Sequence, residues 1–544
     1  MLKKLYRLFA THLGETLLFS GVYKILKFYQ IAIVLRLRFS KPLKKGAECI
    51  SRNNAHGPLV VIPLLETSHY QHYHVLAMAK AFSLRGYEVL VIICDEYLSA
   101  CELKSIRNKK SSTQCFSCSL NRNYILDLFN LNCITLSEIL RDVSDINMQA
   151  QKIIKKYEIR QEYLDLVIDD SVTRYFYGAE RTIKSSIVDD VRAEHRKTAF
   201  ISLCLGEELL KRFRPSICFN NMDVYSSWAP CFKLLKLQGV APIVMSMCDK
   251  DLHAIRLNYA DDFRNNRAYD RFLNGRGESP LTNHENKLLD NILSNRRDGK
   301  DDLMVDWAYF NENQNVPLSI DKNRKNVFVF PNIPWDAGLD EFVGPFAGVL
   351  DWIEQTINHY AGHKQIDIWI KPHPGEVRGT VPSGMSVSNF IKIKYPNLPK
   401  NIHVIDAELG VSPYSLFPYI DLGVVLTGTL ALEMAAENIP VVTAGVSPCH
   451  GLGFLSEPAS PSEYFDCIEF GENLANMKAE FRLFCYFYFI NRSMKWPLTK
   501  RCWADDLSGF QFDNVNELGK GEIEKLDEIF EEIQFLVNDF QTTN

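Results

Sequence analysis

Short runs of apolar residues recur along the chain, separated by longer segments in which apolar residues are spaced as in a helix. The runs predict two series of strands, the first at 59–65, 88–93, 216–219 and 241–246, the second at 326–330, 366–370, 402–405, 421–426 and 441–443. Continuous apolar strands joined by helices are typical of parallel sheets that are covered on both faces. The pattern therefore predicts an α/β protein with two such sheets, and 241–246 as the last strand of the first sheet.

The two series of strands also suggest how the chain divides. We expect a first Rossmann-like domain over 55–250 and a second over 321–475, facing each other across a central cleft. Charged residues and asparagine are frequent in 251–320, which we interpret as a connecting region with one or two helices. The last part, 476–544, contains an aromatic helix at 481–490, either a crossover helix that packs on both domains or an ordinary core helix, and then an acidic amphipathic helix.

The N-terminal segment differs from the rest of the chain. Its first 45 residues carry ten lysines and arginines and one acid, Glu15, with apolar residues between them at helical spacing. No uncharged run approaches the roughly 20 residues that a membrane-spanning helix needs. We therefore interpret 1–50 as a basic amphipathic segment lying on an anionic membrane surface, with packing against the protein as the alternative. This interpretation predicts a cytoplasmic protein that is peripheral on the inner face of the cell membrane.

Composition narrows the class of protein. A net charge of −5, 46% hydrophobic residues and 23% charged residues describe an ordinary globular protein, with no reason to expect nucleic-acid binding. The fourteen cysteines follow no repeating spacing, which favours reduced thiols over a disulfide framework. Cys115 and Cys118 form a CxxC pair without a second pair, and we interpret them as loop residues rather than as a zinc site. We expect no metal and no cofactor.

Candidate chemistry begins where the strand at 366–370 ends. Pro372 and Pro374 remove two backbone donors, so the strand stops and leaves Lys371 and His373 at its carboxyl end. Open α/β sheets bind their ligands at that edge, and a cation beside an imidazole suits a phosphate group. The alternative is a simple exit from the strand with an incidental histidine.

A second candidate follows the strand that ends at Leu426. Thr427, Gly428 and Thr429 open a helix there and offer backbone amides, hydroxyls and the positive end of the helix dipole, which together form an anion site. Glu433 lies one turn further on, where a carboxylate could accept from ribose hydroxyls. An ordinary capped helix is the alternative. We expect this strand end to neighbour the one bearing His373, so that both hold one nucleotide.

The first half offers acids and histidines at predicted strand ends. Glu66 follows the first strand, and Asp223 follows the strand at 216–219; either could act as a general base, and Glu66 is preferred. His69, His72 and His74 lie in the loop after Glu66, without an acid or cysteine partner at metal-ligand spacing. Substrate contact or packing is the better interpretation of these histidines.

Several common motifs are missing, so P-loop, dinucleotide-binding, metalloprotease and serine-hydrolase functions are not supported: GxxxxGK[ST], GxGxxG after a strand, HExxH and GxSxG.

Five stretches follow one another in an order that is characteristic of one family: Trp369–Pro374, Ser412–Ser415, Leu426–Glu433, Pro440–Val442 and Gly451–Phe454. In these stretches the chain resembles the capsule-polysaccharide biosynthesis glycosyltransferases of GT-B fold, including the Kdo-transferase and polysialyltransferase-like groups. The resemblance covers about 320–460 well and 58–250 only as a general N-terminal Rossmann half.

The resemblance implies a metal-independent glycosyltransferase of hexosyl, Kdo or sialyl type, with a nucleotide-sugar donor and a polysaccharide, glycan or glycolipid acceptor. By resemblance, the donor phosphate is contacted by His373 and by Thr427, Gly428 and Thr429. Glu433 is then expected near the ribose. We expect His373 and Lys371 to stabilise the departing phosphate. No Asp/Glu-Asp/Glu-Gly base motif is found in the N-terminal half, so the sugar, the acceptor and the stereochemical outcome stay open.

Three other functions remain open. Two are enzymes of the same architecture: a transferase of polyol phosphate from a CDP-alcohol, and a sugar-nucleotide 2-epimerase. The third is a non-catalytic scaffold that recruits a capsule-assembly complex through its basic N-terminus.

Overall fold

The computed structural model describes the chain in several stretches: 57–65, 71–106, 115, 118, 119, 122, 126, 129–247, 254–259, 267–277, 279–298, 300, 319–336, 344–378, 382–471, 478–499 and 515–543. The predicted membrane-surface segment 1–50 lies outside the described residues, as do Glu66 and His69.

Within these stretches, seven strands form the first sheet in the order β12-β6-β5-β4-β1-β2-β3. The strands are β1 (Leu59–Leu64), β2 (Glu88–Ile93), β3 (Cys133–Thr135), β4 (Ile217–Asn220), β5 (Ala241–Met247), β6 (Ala254–Tyr259) and β12 (Met494–Lys495). The strands from β3 to β5 run parallel, whereas β6 is antiparallel to β5 and β12 is antiparallel to β6.

The second sheet has five strands within the described residues, all parallel, in the order β11-β10-β7-β8-β9. The strands are β7 (Lys325–Phe330), β8 (Ile366–Ile370), β9 (Ile402–Val404), β10 (Leu422–Val425) and β11 (Val441–Thr443). The predicted mixed α/β fold with parallel sheets is therefore confirmed, and each predicted strand forms.

One prediction about the first sheet is wrong, because the strand at 241–246 is not its last. β6 and β12 continue the sheet beyond β5, and β6 lies in the segment interpreted as a connecting region. Ile255, Leu257 and Tyr259 in β6 alternate with Arg256 and Asn258, which is a strand pattern hidden among charged neighbours.

Helices cover both sheets. Their bounds are α1 (Gln71–Leu84), α2 (Leu136–Ile139), α3 (Ile146–Lys156), α4 (Gln161–Phe176), α5 (Ser185–Arg212), α6 (Tyr225–Leu237), α7 (Arg267–Arg276), α8 (Asn283–Arg297), α9 (Val349–Tyr360), α10 (Gly375–Arg378), α11 (Val387–Lys394), α12 (Leu430–Ala436), α13 (Pro461–Phe470), α14 (Lys478–Tyr486) and α15 (Glu524–Thr543). A π-helical turn, Phe487–Asn491, continues α14. Of the described helices, none has a stretch long and apolar enough to cross a membrane.

Each sheet has apolar cores on both faces, because successive residues of a strand point to opposite sides. In the first sheet, Val60 and Ile62 lie in a core with residues of α1 and α15, whereas Val61 lies in a core with residues of α5 and α6. In the second sheet, Val327 lies in a core with residues of α9, and Phe328 in a core with residues of α12 and α14.

The last part of the chain contacts both sheets. Phe484 of α14 is buried in the core beside the second sheet, whereas Phe530 of α15 is buried beside the first. Tyr259 of β6 donates its hydroxyl to the carbonyl of Leu536 in α15 over 2.6 Å.

A second contact joins the two halves at the end of α4. Trp335, which follows β7, lies under the Arg174 guanidinium at 4.6 Å and edge-on to the Tyr177 ring at 5.3 Å. The backbone N–H of Gly384 donates to the carbonyl of Tyr177 over 2.7 Å. We call this the α4 contact, defined by Arg174, Tyr177, Trp335 and Gly384.

Candidate active site

A cavity of about 370 Å³ lies between the ends of the two sheets. Residues of the first sheet line one side: Asn221, Asp223, Val244, Ser246, Arg256, Asn258 and Tyr259. The second sheet and the loops after its strands contribute Asn332, Thr427, Gly428, Thr429 and Pro448. The π-helical turn contributes Tyr488, and the residue after the turn is Arg492. The cavity therefore combines the carboxyl ends of β4, β7 and β10, which is where parallel sheets bind ligands.

Thr427, Gly428 and Thr429 line the wall formed by the second sheet. The Thr427 hydroxyl accepts a hydrogen bond from Asn332 Nδ2 over 3.1 Å, and the Thr429 hydroxyl accepts one from Arg296 Nη2 over 3.4 Å. A Cβ added to Gly428 would have only the Leu430 nitrogen near it, at 3.9 Å. A ligand can therefore approach this backbone closely, because glycine leaves that space open.

Glu433 is not part of the cavity wall. Its Oε1 accepts from Arg296 Nε at 3.1 Å and Nη2 at 2.9 Å, and its Oε2 accepts from the Tyr414 hydroxyl. Glu433 and Arg296 are each less than 5% exposed. A buried carboxylate whose one oxygen accepts two guanidinium N–H bonds and whose other oxygen accepts a tyrosine hydroxyl fixes the helix behind Thr429. The predicted ribose contact would require a ligand to reach behind the cavity wall, since Glu433 is buried there.

Lys371 and His373 follow β8, and neither lines the cavity. The expectation that their strand end neighbours that of Thr427 is wrong, because β7 lies between β8 and β10. Two strand spacings amount to roughly 10 Å. The imidazole Nδ1 of His373 accepts from the Gly375 N–H over 3.1 Å, which ties the ring to the start of α10.

Lys371 and Glu376, which neighbour this histidine, are buried, and the titration of all three groups is shifted. Burial, and then the Lys371 charge, lower the pKa of His373 to about 4, so the ring is neutral at physiological pH. Burial lowers the pKa of Lys371 to about 8, against the opposing effect of Glu376. Burial raises the pKa of Glu376 to about 8, although Val387 N–H donates to its Oε2. Three titratable groups with displaced pKa values thus lie together at the end of β8.

Asp223 lies just beyond β4, on the side of the cavity that the first sheet forms. Among the described residues that line the cavity, it is the one carboxylate. Glu66 and His69 are not described, nor is the side chain of His72. His74 is buried and packs edge-on against Trp496 with ring centres 5.2 Å apart, as the packing interpretation expects.

Sequence reasoning missed the two arginines of the cavity. Arg256 lies on β6, and its Nη2 donates to the carbonyl of Tyr488 over 3.1 Å. Arg492 ends the π-helical turn, and its Nη2 donates to Asn258 Oδ1 over 2.6 Å. The alternation in β6 and the i, i+4 spacing of Tyr488 and Arg492 are the sequence signals that could have identified them.

No group of three or more histidine, cysteine or acidic side chains that could hold a metal occurs among the residues that the structure describes. Cys115 and Cys118 are free thiols.

No family model matches the sequence, and no curated protein matches it significantly. Solved structures do match. The Thermosulfurimonas dismutans KpsC beta Kdo 2,4 transferase is 13% identical with a TM-score of 0.34, over 56% of this chain and 88% of that one. The Neisseria meningitidis UDP-GlcNAc 2-epimerase bound to UDP-GlcNAc is 10% identical with a TM-score of 0.23, over 80% and 98%. The N-terminal domain of Candida albicans trehalose-6-phosphate phosphatase is 10% identical with a TM-score of 0.31, over 90% and 98%.

Proposed function

We propose that the protein is a glycosyltransferase that moves a sugar from a nucleotide-sugar donor to a glycan or lipid-linked acceptor. The observation that carries the proposal is the cavity, with the hydroxyls and open backbone of Thr427–Thr429 on one wall and the carboxylate of Asp223 on the other. The motif order of the sequence, which resembles that of GT-B capsule glycosyltransferases, supports the same function.

In this proposal the donor phosphate lies against Thr427–Thr429. Negative charge grows on the phosphate as the glycosidic bond breaks, and donors that are already fixed stabilise that charge more than they stabilise the bound donor. Asn332 and Arg296 orient the two hydroxyls, and Glu433 holds Arg296. Glu433 then acts as a positioning residue.

The remainder of the donor extends along the edge of the second sheet toward Lys371 and His373. A neutral imidazole can still donate one hydrogen bond, and a lysine whose pKa is about 8 is mostly charged at pH 7. We expect His373→Ala to weaken binding of the nucleotide, and a nucleotide Kd that is unchanged by this substitution would remove His373 from the site.

We propose Asp223 as the general base that takes the proton of the acceptor hydroxyl, in place of the preferred candidate from the sequence, Glu66. Asp223→Asn keeps the size of the side chain and removes its basicity, so transfer should fall by about 10²- to 10⁴-fold. Nucleotide binding should be unchanged, because the donor contacts lie on the other wall. Full activity of Asp223→Asn would return the role to another acid, with Glu66→Gln as the next variant.

A thermal-shift screen with CMP, CDP, UDP and GDP tests the donor site, since a ligand that binds only the folded form raises its melting temperature. The nucleotide that gives the largest shift in the wild type should give a smaller one with Thr429→Val. Thr182→Val is the matched control, because Thr182 is exposed and its hydroxyl donates to the carbonyl of Ala179. If no nucleotide shifts the wild-type protein, the proposed function fails.

Product analysis with purified protein separates the other enzymes. A glycosyltransferase forms a new glycosidic bond, a polyol-phosphate transferase forms a phosphodiester, and a 2-epimerase releases an isomerised sugar nucleotide. A scaffold would support polymer production in cells with Asp223→Asn and Thr429→Val but fail when residues 1–50 are deleted.

We also propose that residues 1–50 bring the protein to the cytoplasmic face of the cell membrane. Cosedimentation with vesicles that contain anionic lipid should be lost on deletion of this segment and weakened by salt, because the attraction is largely electrostatic. Equal binding to neutral vesicles would contradict an anionic surface as the partner.

A further inference from the structure

Arg256 and Arg492 put two positive charges on one side of the cavity. The carbon at the centre of each guanidinium lies near the same ring, that of Tyr488, at 4.6 Å for Arg256 and 5.8 Å for Arg492. Arg256 is only 5% exposed, so its charge is buried in the cavity wall rather than solvated. Buried charge is costly unless a counter-charge or hydrogen bonds offset it.

Both guanidiniums are held in fixed directions by neighbours from distant parts of the chain. Asn258, which accepts from Arg492, itself donates to the Ser246 hydroxyl over 3.2 Å. Arg256 is two residues before Asn258 and therefore on the same face of β6. Two pre-oriented guanidiniums match the planar, multi-oxygen geometry of a carboxylate or phosphate.

The π-helical turn is what brings Arg492 to this position. The backbone N–H of Arg492 donates to the carbonyl of Phe487, five residues earlier, over 2.9 Å. Such wide turns are rare, and they frequently occur at functional sites, where they redirect side chains. If α14 had continued as a regular α-helix, the side chain of Arg492 would point in a different direction.

The described lining of the cavity has more positive than negative side chains. This lining includes two guanidiniums and, among the described residues, the single carboxylate of Asp223. The donor phosphate of the proposed reaction lies at Thr427–Thr429 of the second sheet, whereas Arg256 lies on β6 of the first sheet, beside the Asn258 that holds Arg492. An anion on the side of Arg256 and Arg492 would therefore belong to the other substrate.

We propose that Arg256 and Arg492 form a subsite for an acid group of the acceptor, so that the enzyme selects a carboxylate- or phosphate-bearing saccharide over a neutral one. This inference rests on the proposed function, since it takes Thr427–Thr429 as the place of the donor phosphate. Asn258 and Tyr488 are positioning residues for the two arginines.

Binding of three related sugars by titration calorimetry tests the subsite: glucose, glucuronic acid and glucose 6-phosphate. The wild type should bind at least one acid more tightly than glucose, and Arg492→Gln should lose about 10- to 100-fold of that preference, the worth of one charged hydrogen bond. A preference for glucuronic acid identifies a carboxylate as the ligand, and one for glucose 6-phosphate identifies a phosphate. Arg482→Gln is the matched control, because Arg482 pairs with Asp290 outside the cavity.

Three results would overturn the proposal. The first is that the wild type binds glucose and both acids equally. The second is that Arg492→Gln keeps the full preference for the acid. The third is that Arg492→Gln weakens nucleotide binding as much as Thr429→Val does, which would assign the arginine to the donor. A wild type that prefers the acid sugars but binds no nucleotide would leave the subsite in place and refute the proposed glycosyl transfer.

Discussion

Glu376 shows how strongly burial at the end of β8 shifts the pKa of a single residue. Its Oε1 has no hydrogen-bond partner in the described part of the chain, and its pKa is raised to about 8 by burial. The folded protein therefore keeps a proton that the unfolded chain releases above pH 4.5. Stability from this residue is present at low pH and is lost as the pH rises toward 8.

Glu376→Gln removes this titration and keeps an oxygen that can accept from Val387 N–H. We expect the free energy of unfolding of the variant, relative to the wild type, to increase between about pH 5 and pH 8, by on the order of a few kcal/mol. Denaturant unfolding of both proteins across this range measures it. A difference that is constant with pH would mean that Glu376 titrates normally.

At the scale of elements, the α4 contact depends on a glycine. A Cβ on Gly384 would lie 2.7 Å from the carbonyl oxygen of Phe176 and 2.9 Å from the Cβ of Ala179. Because the first of these atoms is backbone at the end of α4, it cannot move aside as a flexible side chain can. The contact between the halves therefore requires glycine here.

Gly384→Ala should lower the free energy of unfolding by about 1–3 kcal/mol, because the added methyl group overpacks this contact. Gly275→Ala is the control, since a Cβ there meets nothing within 4 Å and alanine favours the helix by about 0.5–1 kcal/mol. Thermal unfolding of both variants checks the contrast. An unchanged melting temperature for Gly384→Ala would show that the two halves separate easily at this point.

The elements also show why the sequence predicted some features and missed others. The strand at 366–370 was recognisable because Ile366, Ile368 and Ile370 alternate with Asp367 and Trp369. Thr427–Thr429 was recognisable because the predicted anion-binding residues are adjacent in the chain. β6 was missed because Arg256 and Asn258 interrupt its apolar pattern, and these are the residues that line the cavity. The polar residues that line the cavity thus obscured the apolar pattern of the strand on which they lie.

The pairing of Arg256 with Tyr488 could not be predicted either, since 232 positions separate them. Only the order of strands in the sheet brings β6, β12 and the π-helical turn together. In the second sheet, the strand order places β7 between the strands that precede His373 and Thr427, against the expectation of neighbouring strand ends. Strand existence is a local property, whereas strand adjacency depends on the whole chain.

At the scale of the molecule, α15 completes a core formed mainly by the first half. Phe530 packs against the rings of Phe82 and Tyr87 with centroids 4.8 and 6.5 Å away, and the Arg85 guanidinium covers its face at 4.2 Å. Phe530→Ala should therefore cost about 3–5 kcal/mol.

Phe535 is the matched control on the same helix, since 44% of its surface is exposed. Chemical denaturation should show a large loss for Phe530→Ala and a small one for Phe535→Ala. Equal effects of the two substitutions would indicate that α15 does not pack on the first sheet.

The position of α15 has a consequence for biosynthesis. Leu526, Ile529 and Ile533 enter the same core as β1 and α1, yet they are translated several hundred codons later. A ribosome that has delivered the early strands holds a nascent polypeptide whose apolar face stays open until α15 has been synthesised, which is the kind of intermediate that chaperones recognise. Messages that stop before the codons for α15 would yield a product with both sheets encoded and the first of them uncovered on one face.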